Sequence, residues 1–188
     1  DEKSLSEIGR WPWSRNNVAT LINQLFDHYE ISLLGLDILF PEPDLSSGIN
    51  IVKNIGETQL VDNTEYHQVI QEIEKELDYD QLLADSIEKN QVVLGYFFRP
   101  PTARDIATNG VLPESVIDNS IFKGTDINIR KAKGYSANIK VIQNAALDAG
   151  HFSPWLDPDG VIRRVPMFYE FNDNYYEALS LVMVRHLL

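Results

Sequence analysis

Two short apolar runs constrain this chain more than any other feature. They are Ile31-Ser32-Leu33-Leu34-Gly35-Leu36-Asp37-Ile38-Leu39-Phe40 and Gln91-Val92-Val93-Leu94-Gly95-Tyr96-Phe97-Phe98. Pro41 and Pro43 follow the first, and Pro100 and Pro101 follow the second. A strand with one face in water alternates apolar and polar residues, whereas a strand covered on both faces is apolar throughout. Proline ends such a strand because it has no N–H to give the ladder. Both runs therefore predict buried strands, and a sheet covered on both faces needs helices on both sides.

Helical spacing is legible around these runs. Val18, Leu21, Ile22, Leu25, Phe26 and Tyr29 recur at helical intervals after Ser14, which is the expected N-cap. Residues 45–64 are polar, rich in turn formers, and read as loop. Val69, Ile70, Ile73 and Leu77 define a second helix from Glu65, and Leu82, Leu83 and Ile87 a third from near Asp80. Residues 99–135 hold three prolines and several glycines, and read as a long loop with short elements. Ser136 is expected to cap a helix carrying Ile139, Ile142, Ala145 and Ala146, closed by Gly150.

Asp157-Pro158-Asp159-Gly160 is a turn, since proline presets φ and glycine supplies positive φ. It leads into a returning strand over residues 161–171. A last helix carries Tyr176, Leu179, Met183 and Leu187 on one face. The helix–strand alternation predicts an α/β fold. The expectation is a three-layer sandwich with a mainly parallel mixed sheet and an antiparallel hairpin near the C-terminus, in one domain spanning residues 1–188.

Composition narrows the function. The 188 residues are 44% hydrophobic, enough for one core. Sixteen basic against 28 acidic residues give a net charge of −12, a field that repels phosphate backbones and argues against nucleic-acid binding. There is no cysteine, so disulfides, thiolate metal sites and cysteine nucleophiles are excluded. No apolar run approaches the ~20 residues that span a bilayer. The chain begins Asp1-Glu2-Lys3 and stops inside an apolar helical pattern at Leu187-Leu188, so it is expected to be a piece of a longer protein. Phosphate-cradling loops, nucleophile elbows and zinc-protease motifs are all missing. His28, His67, His151 and His186 stand singly and read as surface or packing residues. No catalytic residue, cofactor or metal is expected.

Four features are candidates for a binding site. Asp37 lies inside the first apolar run, where a lone carboxylate is costly. With Glu42 and Asp44 beyond the strand end, it reads as an internal ion pair, a ligand contact or a divalent-cation site. Arg163 and Arg164 are adjacent in the returning strand, so one should face the body of the domain and meet Asp37 or an anionic ligand. Trp13, in Trp11-Pro12-Trp13, reads as an aromatic lid or as a packed segment orienting the first helix. Arg99 follows the second strand and should project at the same edge as Asp44, unless it is solvated.

The same segments carry a family resemblance. Trp11-Pro12-Trp13-Ser14-Arg15, followed by a helix and then Gly35-Leu36-Asp37-Ile38-Leu39-Phe40-Pro41-Glu42-Pro43-Asp44, resembles the N-terminal signature of CHASE2 domains. Residues 80–95 resemble the next helix–strand unit of that family. Ala149-Gly150-His151-Phe152 and Asp157-Pro158-Asp159-Gly160-Val161-Ile162-Arg163-Arg164-Val165-Pro166 resemble its late hairpin, and Tyr176-Glu177-Ala178-Leu179-Ser180-Leu181 the helix after it. Residues 45–79 look longer than the family spacing and read as a possible insert.

The resemblance implies an extracytoplasmic, periplasmic or extracellular, sensor domain of a bacterial transmembrane receptor. It implies flanking membrane helices outside this chain and an output module that is an adenylate or guanylate cyclase, a histidine kinase, a Ser/Thr kinase or a diguanylate cyclase. It also implies a homodimer in the full-length receptor, an unidentified small-molecule or ionic signal, and no catalytic residue in this domain. Two alternatives stand beside it: a protein-interaction or dimerisation module without a small ligand, and a metal-dependent hydrolase built on Asp37 and Asp44.

Overall fold

The computed structural model describes residues 2–103, 106–115, 121, 124 and 128–188. In chain order the elements are α1 (Glu2–Ile8), α2 (Arg15–Asp27), β1 (Leu34–Leu36), α3 (Ile49–Thr58), α4 (Thr64–Leu77), α5 (Tyr79–Lys89) and β2 (Val92–Arg99). They continue as β3 (Thr108–Asn109), β4 (Arg130–Lys131), β5 (Gly134–Ser136), α6 (Lys140–Ala145), β6 (Asp148–His151), β7 (Trp155–Leu156), β8 (Ile162–Arg164), β9 (Phe168–Phe171), β10 (Asn174–Glu177) and α7 (Leu179–Leu187).

The second apolar run forms β2, the central strand. Val92, Val93, Leu94, Tyr96 and Phe98 are all fully buried. β1 pairs parallel with its first half (Leu34 opposite Val92, Leu36 opposite Leu94). β6 also pairs parallel, from Val93–Asp148 to Tyr96–His151. The last residues of β2 pair antiparallel with β5, which in turn holds β3. A smaller sheet joins β10, β9 and β4, and β7 and β8 form a two-stranded hairpin.

Strand alternation sorts the helices into layers. Leu36, Val92 and Leu94 share a buried cluster with Val18, Ala19 and Ile22 of α2 and with Leu83 and Ile87 of α5. Gly35 points the other way, where a side chain would run into Met183 of α7. Gly150 of β6 does the same, since an added Cβ would lie 2.5 Å from the Leu179 Cα. The sheet is thus covered by α2, α5 and α6 on one face and by α7 on the other. This is the three-layer α/β sandwich expected, with a mixed sheet and antiparallel hairpins toward the C-terminus.

Several local expectations are corrected. The first run gives only three strand residues, because the chain leaves the sheet after Leu36. Beyond that point the Asn138 side chain stands in for a strand: it accepts from the Phe40 N–H at 2.9 Å and donates to the Gly95 carbonyl at 3.1 Å. The stretch read as loop contains α3, whose Ile49 is buried. Ser14 sits at the N-cap of α2 but makes no capping bond from its side chain. Ser136 belongs to β5, α6 closes at Ala145, and Gly150 lies inside β6 rather than ending a helix. The returning strand is two strands, β8 and β9, and Tyr176 lies in β10 rather than on α7. Residues 99–135 do carry only short elements where they are described; 104–105, 116–120, 122–123 and 125–127 of that stretch lie outside the described residues.

Candidate functional site

The helix α2 begins on a buried arginine. Arg15 is 7% exposed. Its guanidinium pairs with Asp80 in the first turn of α5 and donates to the Glu42 carbonyl. The same group lies 5.3 Å from the centroid of Phe40, a favourable placement for a cation over an aromatic face. The Arg15 backbone N–H donates to the Asp44 carboxylate at 2.8 Å, and the Ser46 N–H donates to its other oxygen at 2.8 Å. The Asp44 N–H in turn donates to Asp80 at 3.1 Å. Asp44 therefore supplies from a distant loop the acceptor that α2 lacks at Ser14, and its charge faces the positive end of the helix.

This network fixes the electrostatics. Burial lowers the affinity of Arg15 for its proton, and the Asp44 charge offsets part of that effect. Partial burial pushes the Asp44 carboxyl upward, but the hydrogen bonds from Ser46 and Arg15 outweigh it, and the group lies below the ordinary carboxylate value. Both groups are charged at neutral pH, and three segments far apart in sequence are tied at one corner.

A cleft of about 420 Å³ opens beside that corner, between residues 11–15 and residues 38–46. Such a volume suits a small molecule. Trp11 is 55% exposed on its wall and packs edge-on against Trp13, with ring centroids 5.7 Å apart. The Trp13 Nε1–H donates to the Gly9 carbonyl at 3.1 Å, so the segment is held at both ends. Ile38, Leu39 and Phe40 give the cleft an apolar floor, and Glu42 and Asp44 make its rim acidic.

Of the residues singled out in the sequence, Trp13 and Asp44 line this cleft, and Trp13 also packs against the core as the second of its two readings has it. Asp37 is corrected: it lies outside β1 and is exposed, so it is neither a buried charge nor an internal partner for arginine. Arg163 and Arg164 are corrected as well. Both are exposed, and both pair with Asp157 across the β7–β8 hairpin. Neither faces the body of the domain. Arg99 closes β2, donates to the Ser136 hydroxyl at 2.9 Å and is not among the residues that line the cleft. A partly buried ion pair is present instead between Arg15 and Asp80, 65 residues apart. Sequence reasoning missed this pair; the only local signal for it is the arginine directly after the expected cap.

Two further clusters stand apart. His151 is fully buried against Tyr96, Phe98 and Tyr169. Neither its ring nitrogens nor the Tyr96 hydroxyl has a hydrogen-bond partner among the described residues. On the opposite face, Arg185 of α7 reaches Asp148 at 2.8 Å and Glu177 at 2.7 Å, and His186 Nε2 lies 2.9 Å from Asp148. No group of three or more His, Asp or Glu side chains is disposed to hold a metal ion among the described residues.

No helix among the described residues is long and apolar enough to cross a membrane. No curated protein and no solved structure matches the chain significantly. The family model of the CHASE2 domain matches residues 1–188, the whole chain, in keeping with the sequence signatures and the layered fold, and the chain belongs to the CHASE2 family of extracytoplasmic sensory domains.

Proposed function

We propose that this domain receives a small ligand for a bacterial transmembrane receptor, and that the ligand enters the cleft between residues 11–15 and 38–46. The observation that carries the reading is the cleft itself, apolar at its floor and acidic at its rim, with an exposed indole on one wall. Arg15, the cation beside it, is already bonded to Asp80, Glu42 and, through its backbone, Asp44. The cleft therefore favours a flat or apolar ligand with a cationic or hydrogen-bond-donating group. Aromatic faces attract such cations, and the net charge of −12 concentrates them.

Occupancy would bias the receptor through the ligand's different affinity for two states of the tied corner. The flanking membrane helices, the homodimer and the cyclase, kinase or diguanylate cyclase output belong to the same reading, outside this chain. Exposed Val161, Ile162, Val165 and Met167 favour the second reading, a dimerisation or protein-interaction module. A thermal-shift screen against organic cations, neutral metabolites and inorganic ions separates them. The ligand reading expects one compound to raise the melting temperature of the parent but not of a folded Trp11→Ala variant. Equal stabilisation of both would remove the cleft from the account. A silent screen accompanied by concentration-dependent dimerisation would favour the module.

A further inference from the structure

A second cavity, also about 420 Å³, opens where β4, the β7–β8 hairpin and the start of β9 meet. Arg130 and Arg164 line it together with Trp155, Val165, Met167 and Phe168. Among the described residues no acidic side chain lines it. That is against the trend of the chain, which has 28 acidic residues and 16 basic ones. Four other cavities each carry at least one carboxylate: Glu42 and Asp44 in the cleft, Asp62, Glu74 with Asp78 and Asp85, and Glu114 with Asp148 and Glu177.

The two arginines are not equivalent. Both guanidinium groups lie over the Trp155 ring. Arg164 is neutralised by Asp157, a buried carboxylate that also holds Arg163. Arg130 has no ion pair among the described residues, and its Nε is shut from solvent with no acceptor. The indole face compensates part of the lost hydration of a cation, but it accepts no hydrogen bond in the guanidinium plane. A half-buried guanidinium without an anion is costly, and a chain so rich in carboxylates had ample means to supply one. The cavity walls supply the rest of a ligand site: an indole, a thioether and aliphatic and phenyl surface beside a guanidinium that has no ion pair among the described residues.

We propose that this cavity binds a small organic carboxylate. The carboxylate sits on Arg130, with Arg164 beside it, in the paired N–H geometry that guanidinium offers an oxyanion. The apolar body lies against Val165, Met167 and Phe168. Its chemistry is opposite to that of the cleft ligand, and it stands whether or not the cleft is occupied.

The test is calorimetric titration of the whole chain at low ionic strength with benzoate, with its neutral isostere benzamide, and with inorganic phosphate. Benzoate is expected to bind, and the other two to bind at least about tenfold more weakly, the loss that follows from removing one charge-assisted contact or the apolar body. Arg130→Gln, with its fold checked by circular dichroism, is expected to weaken benzoate by about tenfold or more. If that variant does not fold, Val165→Glu places an anion on the wall and should expel benzoate to a similar degree. Trp11→Ala should leave benzoate binding intact, which separates this site from the cleft. Benzamide binding as well as benzoate, phosphate binding better than benzoate, or a folded Arg130→Gln that retains full affinity would each overturn the assignment.

Discussion

At the scale of single residues, His151 shows most directly what burial does to chemistry. It is 0% exposed, with Tyr169, Phe98 and Tyr96 at ring-centroid distances of 4.9, 5.9 and 6.5 Å. Burial lowers its pKa from 6.5 to about 4. The unfolded chain therefore takes up the proton first. The stability contributed by the neutral ring is fully present above pH 6.5 and is lost as pH falls from there through about 4. At about 1.4 kcal/mol per pH unit, that window is worth roughly 3 kcal/mol. Urea unfolding at pH 7, 5.5 and 4 should show the loss, and His151→Phe should flatten it. An unchanged slope in the variant would mean that His151 is not the titrating group. Asp44 and Asp148 also have depressed values, so their contribution is present at higher pH and lost only in the more acidic carboxylate range. At this scale the sequence was legible in part. It marked Glu42 and Asp44, and it read His151 as a surface or packing residue. It offered Asp37 and the inward-facing one of Arg163 and Arg164 as an internal pair, because Asp37 stood in an apolar run and adjacent strand residues point to opposite faces. A salt bridge between residues 15 and 80 leaves no local trace, since spacing arguments reach one helix or one hairpin at a time.

At the scale of elements, pattern succeeded where one residue type dominated and failed where tertiary contacts decided. The run ending at Phe98 became a long strand because β1, β6 and β5 between them pair with it from Val92 to Arg99. The run ending at Phe40 is also largely apolar but has only three strand residues, because β5 and Asn138 take over its pairing. α3 escaped notice because the turn formers around it mask a short apolar face. β6 escaped because Asp148-Ala149-Gly150-His151 has neither β-branched residues nor alternation. Its glycine is explained by what presses on it, since the Leu179 Cα at the start of α7 leaves no room for a Cβ. Gly150→Ala should therefore destabilise the fold by about 1–3 kcal/mol through overpacking against backbone. A chemical-denaturation midpoint equal to the parent's would show that β6 and α7 separate freely.

At the scale of the whole molecule, the two faces of the sheet are unequally covered. Among the described helices, α2, α5 and α6 share one face and α7 lies on the other, pinned by Arg185 to Asp148 and Glu177. The Arg185 guanidinium holds its proton more tightly through its hydrogen bond to Glu177, and the bridge persists at neutral pH. Arg185→Leu should speed amide hydrogen exchange in α7 while leaving α5 protected, because local opening follows the contacts of each unit. Equal rates in parent and variant would show that apolar packing alone holds α7. The amide of Asn138 reaches further than any other single contact described for the cleft. It joins Phe40, 98 residues earlier in the chain, to Gly95 on the central strand. Contacts so distant in sequence close late, because a long loop must be ordered before they form. Phe40 lines the cleft, so the cleft assumes its shape only after synthesis has passed residue 138, and on the function proposed above a nascent fragment ending earlier cannot take up the ligand.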